Sequence, residues 1–323
     1  RSAKMADKMA DKSEAREDKS CDKVRSVDLS RVKNKVRRSI LYKQEKHNKN
    51  KEKRDRKKKR KREEEELGDE ASPKQVPRTI ENTRLSDETI VAADDKEVLH
   101  DEESDELSTY FKCEVRPKVL LTTSNKPTVK TVQFVDALEQ IIPNSEVRYR
   151  KGIDIKKIIP QAVERGFTSL VVVNENHKEP NGLLLIHLPD GPTAHFKLSS
   201  IKLSKHIKNH GRASAHRPEV ILNNFKTRLG HSVARLLASL FPYDPQFQGR
   251  RCATFHNQRD FIFFRHHRYI FKNSQKTGLQ ELGPRFTLKL RSLQRGTFDT
   301  TFGQYEWIHK RKEMDTSRRK FVL

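Results

Sequence analysis

The sequence predicts an α/β fold: one domain of two similar lobes, behind a charged N-terminal region that is disordered or helical. Three observations predict it. Short apolar strand-like runs alternate with helical patterns, as in layered α/β domains. Helical stretches end at Pro143 and at Pro242, each preceded by a strand-like run, KVLLTT (118–123) and EVILNNF (219–225). Finally, GPTAHFKL (191–198) is echoed by GPRFTLKL (283–290), with glycine, proline, lysine and leucine in one register, as internal duplication requires.

The elements follow in order. Residues 118–123 are an apolar strand after Pro117. Over 131–142, Phe134, Val135, Leu138, Ile141 and Ile142 share one helical face. Residues 146–150 are a short strand, and 154–165 a helix capped by Asp154, interrupted by Pro160 and stopped by Gly166. Residues 169–173 and 182–188 are strands joined at the turn Asn181-Gly182, and 195–199 is another. In the second lobe 219–225 is a strand, 231–241 a helix, and 251–256 and 260–272 are strands.

The decisive stretch lies further on. It runs from Glu281 and Leu282 through Gly283-Pro284, then Arg285, Phe286, Thr287, Leu288, Lys289, Leu290, Arg291, Ser292, Leu293 and Gln294, to Arg295, Gly296, Thr297 and Phe298. Phe286, Leu288 and Leu290 alternate with Thr287, Lys289 and Arg291, so the strand buries one face and shows cations on the other. Such a face suits a polyanion backbone. The pattern alone is equally that of a half-buried strand with a solvated charged face.

Charge divides the chain. Of 323 residues, 68 are Lys or Arg and 44 Asp or Glu, a net charge of +24 that points to nucleic acid or another anionic surface. Residues 1–66 carry net +12, 67–108 net −9 and 109–323 net +21. The first block is a basic low-complexity tail whose run KEKRDRKKKRKR (51–62) reads as a nuclear or nucleolar import signal, or as a solubilising tail. It is expected to be disordered or a lone solvated helix. Leu29, Val32, Val36 and Ile40 give that region one apolar helical stripe, with Asp28 or Ser30 as N-cap. Residues 67–109 read as an acidic extended linker, a solvated spacer or a shield over a basic surface. Residues 300–323 form a basic C-terminal tail that packs Tyr305, Trp307 or Phe321 on the domain or on a partner.

Signatures of catalysis are missing from the sequence. There is no phosphate-binding glycine loop, HExxH, CxxC pair or GxSxG elbow. Cys21, Cys113 and Cys252 are scattered, which fits a reducing compartment and neither a disulfide framework nor a zinc site. His266 and His267, adjacent on a strand, face opposite sides and make poor joint metal ligands. His256, Asn257 and Asp260 have no nucleophile beside them in the chain. No apolar run is long enough to span a membrane. What stands out is cations mixed with aromatics: Arg250, Arg251, Arg259, Phe261, Phe263, Phe264, Arg265, Arg268, Tyr269, Phe271 and Lys272. Cations hold phosphates and aromatics stack unpaired bases. Phe261 and Phe263 are expected in the core.

GPRFTLKLRSLQRGTFD (283–299) resembles the sigma-factor-like motif that closes the Brix domain of eukaryotic ribosome-assembly factors. The resemblance implies a duplicated two-lobed Brix domain over 116–299, each half similar to a class II tRNA synthetase anticodon-binding domain. It also implies a nucleolar protein that binds large-subunit precursor ribosomal RNA through residues 281–298, serves its maturation, and works with other pre-ribosomal assembly proteins. No catalytic residue, metal, cofactor, membrane or small-molecule substrate is expected. Two rivals stay open: a protein–protein scaffold with incidental RNA contact, and an accessory domain of a tRNA-handling enzyme. The second lacks any segment long enough for an ATP-binding catalytic domain.

Overall fold

The computed structural model describes residues 29–67, 76–79, 81–92, 94–273, 276–312 and 319–323. The candidate cap Asp28, and Cys21, lie outside them. The chain forms two compact units, residues 1–77 and 78–323.

In the first unit a short 3-10 turn, Leu29–Arg31, precedes helix α1, Lys35–Leu67. Its cap is Asn34, whose side-chain oxygen accepts from the N–H of Val36 at 2.9 Å and of Arg37 at 3.1 Å. Ser30 is therefore not the cap of this helix, which begins after Asn34. Val36 and Ile40 are exposed, so the stripe has no local core. Pairs four residues apart, Glu45–Lys49, Arg60–Glu64 and Lys61–Glu65, support this solvated helix along its length.

In the second unit the acidic stretch is not simply extended. Asp95 caps helix α2, Lys96–Ser104, accepting from the N–H groups of Glu97 and Val98. A single turn, α3, covers Ser108–Phe111. Val98, Leu107 and Tyr110 are buried, and the Tyr110 hydroxyl donates to the carbonyls of Ala238 at 3.0 Å and Phe241 at 2.7 Å. Composition concealed Val98 and Leu107 among the carboxylates.

The rest is one mixed sheet. Its strands are β1 Val119–Thr123, β2 Ser145–Val147, β3 Ser169–Asn176, β4 Glu179–His187, β5 Thr193–Lys202, β6 Glu219–Asn223, β7 Arg251–Gln258, β8 Phe261–Asn273, β9 Lys276–Glu281, β10 Arg285–Gln294 and β11 Tyr305–Ile308. The order across the sheet is β2-β1-β3-β4-β5-β10-β8-β7-β6, with β9 beside β8 and β11 beside β10. Helices α4 Val129–Glu139, α5 Ile155–Glu164 and α6 Arg228–Ala238 pack on it.

Differences from the expected elements have local causes. The turn between β3 and β4 is at His177 and Lys178, both at positive φ, as a two-residue hairpin demands, and Asn181-Gly182 lies inside β4. There Asn181 accepts from the Asn174 side chain across the ladder at 3.1 Å. Pro160 sits within α5 and does not divide it. Asp154 holds the N-cap position without a side-chain cap bond. Helix α6 starts early, at Arg228, because the Thr227 hydroxyl accepts from the N–H of Gly230 at 2.9 Å. Gly191-Pro192 and Gly283-Pro284 are both cis.

Alternation places the core. Leu121, Leu185, Phe196, Ile262, Phe264, Phe286, Leu288 and Leu290 face α4 and α6, whose Phe134, Val233 and Leu237 complete one cluster. Phe286 stacks on Phe264 at 4.5 Å and meets Phe134 edge-on at 5.4 Å. On the opposite face a smaller cluster, Leu120, Leu170, Val172, Leu184 and Ile186, lies under Ile155, Ile158 and Ile159 of α5. In this unit α4 and α6 belong to the main cluster and α5 to the smaller one, which takes in no residue of β5, β10, β8 or β7.

Candidate nucleic-acid interface

Strand β10 runs through the middle of the sheet, antiparallel to both β5 and β8. Its entry is built by Leu282 and Gly283. The Leu282 N–H donates to the His266 carbonyl at 2.8 Å, and the His266 ring donates from Nδ1 to the Gly283 carbonyl at 3.0 Å. Gly283, at φ +72, packs so tightly that a Cβ would lie 2.9 Å from the Ser204 Cα. Pro284 is buried beside it. At the exit the Thr193 hydroxyl donates to the Gly296 carbonyl at 2.9 Å, and Gln294 donates to the Asp299 carbonyl at 2.7 Å.

The eighteen residues 281–298 therefore divide by side. Phe286, Leu288, Leu290 and Leu293 are buried in the main core. Gln294 is buried, and Phe298 packs beside the α5 cluster. Arg285, Thr287 and Lys289 lie on the side away from α4 and α6, and Arg291 follows where the pairing with β5 shifts register between Leu290 and Ser292. Arg295 is exposed in the turn that Gly296 and Thr297 continue.

The cations differ in their surroundings. Arg285 is held by Glu281 in an ion pair of 2.5 Å, so the acidic member of the segment neutralises its first cation. Thr287 is flanked across the ladder by Ser199 and Phe263. Lys289 stands directly opposite Lys197 of β5, and on its other side its ammonium lies 4.9 Å from the centre of the Phe261 ring. Neither lysine, nor Arg291, makes an ion pair among the described residues. Burial lowers the pKa of His195 and of His309, and the positive charge of Arg291 beside each lowers it further, as does that of Lys289 for His309.

The mixed cation and aromatic stretch does not act as one surface. Arg251 is buried, donating to His266 Nε2 at 3.1 Å and to the carbonyls of Ser214, His216 and Gln140. It is a structural cation, unavailable to phosphate. Ile262 and Phe264 fill the core, while Phe261 and Phe263 point to the side away from α4 and α6, reversing their expected placement. The run Phe-Ile-Phe-Phe is apolar in both parities, so alternation could not choose between faces. His266 and His267 do face opposite ways: one is buried, the other half-buried. Asn257 donates to the carbonyls of Asn224 and Leu323, and Asp260 accepts from the N–H groups of Val322 and Leu323, so both serve packing.

The acidic stretch covers cations elsewhere. Arg235 of α6 pairs with Asp105 at 2.8 Å and Glu102 at 3.3 Å, and Arg228 pairs with Glu97 at 2.8 Å. Among the described residues no cluster of three or more His, Cys, Asp or Glu could hold a metal, and no helix is long and apolar enough to cross a membrane.

These features define a mixed α/β protein whose central sheet presents a basic, aromatic surface. The Brix domain model matches residues 124–292, and the chain belongs to the Brix domain family. It is similar to ribosome production factor 1 of Xenopus laevis, at 62% identity over 296 residues, 91% of this chain and 86% of that one. The protein of that name from Mus musculus is 59% identical, covering 91% and 85%. The one from Saccharomyces cerevisiae is 46% identical, covering 90% of this chain and 97% of that one. A solved structure of a probable ribosomal biogenesis protein from Aeropyrum pernix K1 is 17% identical, covers 60% of this chain and 99% of that chain, and has a TM-score of 0.42.

Proposed function

We propose that this chain is a non-catalytic ribosome-assembly factor that binds large-subunit precursor ribosomal RNA, serves its maturation in the nucleolus, and works beside other pre-ribosomal assembly proteins. The relatives called ribosome production factor 1 support the biogenesis role. The observation that carries the RNA reading is Lys289 facing Lys197 across the ladder, with Arg291 following. Like charges directly opposite destabilise a sheet, and a phosphate between them removes that cost. In this reading the contact residues of 281–298 are Lys289, Arg291 and Arg295, with Arg285 partly withdrawn by Glu281. The remaining residues of the segment position them.

The domain is proposed to span 116–299 and to have arisen by duplication, flanked by the tail 1–66, the linker 67–109 and the tail 300–323. Two facts support duplication. Strands β1, β3, β4 and β5 pair with one another in the same senses as β6, β7, β8 and β10. The echoed strands also pair symmetrically about their shared lysine, with Leu288 opposite Leu198 and Leu290 opposite Phe196. The likeness of each half to an anticodon-binding domain belongs to the same proposal. The exposed Ile270, Phe271 and Leu279 of the β8–β9 hairpin favour protein contact as an additional role.

The test is the double variant Lys289→Ala, Arg291→Ala in the full chain, titrated with several RNAs over a range of salt. Affinity is expected to fall for all of them alike, and the salt slope to drop by roughly 0.7–0.9 per lost contact. A folded variant with unchanged affinity and slope refutes the reading.

A further inference from the structure

The open sheet face carries more than cations. Phe261 is 40% exposed and Phe263 half-buried, two residues apart on β8 and so on the same side. The core does not need them, since Ile262 and Phe264 already fill it from the same strand. Phe263 lies between Thr287 of β10 and His256 of β7, and Phe261 lies beside Lys289. The rings thus border Lys197, Lys289 and Arg291, three cations that make no ion pair among the described residues.

We propose that this face binds single-stranded RNA, with successive unpaired bases stacked on Phe261 and Phe263 and their phosphates held by Lys197, Lys289 and Arg291. The inference rests on the RNA reading above and names the form of RNA. A duplex keeps its bases stacked internally and offers a flat sheet little but its backbone, so exposed rings gain nothing from it. An unpaired base has a free π-face, and each stack on an aromatic ring adds affinity with little sequence preference. The Lys289 ammonium, 4.9 Å from the centre of the Phe261 ring, sets a cation for phosphate beside a stacking surface. No carboxylate among the described residues pairs with these three cations, and cations beside aromatic rings match the phosphates and unpaired bases of a single strand.

The test compares the full chain with Phe261→Leu, Phe263→Leu, which keeps apolar volume and leaves the core untouched. Binding is measured by fluorescence anisotropy to a labelled mixed-sequence single strand of about ten nucleotides and to a duplex RNA of equal length. The expected result is a loss of roughly 5- to 100-fold on the single strand, with its salt slope unchanged, and no loss on the duplex. Unchanged single-strand affinity, as when the rings serve a protein partner, or an equal loss on both RNAs, overturns the proposal. The Lys289→Ala, Arg291→Ala variant runs in parallel. If it weakens binding while the phenylalanine variant does not, stacking falls and the phosphate reading stands. If neither variant weakens binding, both fall.

Discussion

Burial withholds a proton from His266. Its ring lies between the Gly283 carbonyl, to which Nδ1 donates, and the Arg251 guanidinium, which donates to Nε2. Burial and the neighbouring positive charge of Arg251 lower its pKa to about 4, from an ordinary value near 6.5. Between those values the unfolded chain binds a proton that the folded chain refuses. Stability from this group is therefore full above about pH 6.5 and is lost as pH falls towards 4, by on the order of 3 kcal/mol. Urea midpoints at neutral and mildly acid pH should show the decline, and His266→Asn should flatten part of it while keeping a donor for Gly283. An equal decline in the variant would assign the acid sensitivity to other groups. Because His266 holds the entry to β10, acid loss should begin beside the proposed RNA face.

Two contacts made by helix α2 and the residues after it contrast with one another. Arg235 is 13% exposed and bonded to Asp105 and Glu102, whereas the Arg228–Glu97 pair stands in solvent. Breaking a largely buried pair strands a charge, and breaking an exposed one changes little. Asp105→Asn should thus cost about 1–3 kcal/mol in chemical denaturation, and Glu97→Gln should leave the midpoint where it was. Equal effects would mean that α2 is held by Val98 and Leu107 alone. This helix also marks how far the sequence could be read. Strands β1, β3, β5 and β10 were legible because one parity of each is clearly apolar or the whole run is. The acidic segment was not, because its charge concealed Asp95 as a cap and Val98 and Leu107 as anchors. Strand β8 was half legible: its existence was plain, but its facing was open until Ile262 and Phe264 met the core. The basic side of β10 was visible in Lys289 and Arg291, while Lys197 and the two phenylalanines needed the sheet to bring them alongside.

At the scale of the molecule, β5 and β10 join the two halves into one sheet. Without β10, strand β5 is a bare edge whose inward Phe196 and Leu198 lose their cross-strand neighbours. A fragment of residues 78–203 should therefore elute as dimer or aggregate in size-exclusion chromatography. A folded, monodisperse monomer would show that the first half closes by itself. The same topology bears on biosynthesis. Roughly 80 residues separate the end of β5 from the start of β10. At about 5–20 residues per second, that edge waits on the order of 4–16 s for its neighbour to be made. A translational pause in that window prolongs the wait, so the pace of the ribosome that makes this chain governs how much of it escapes misassembly.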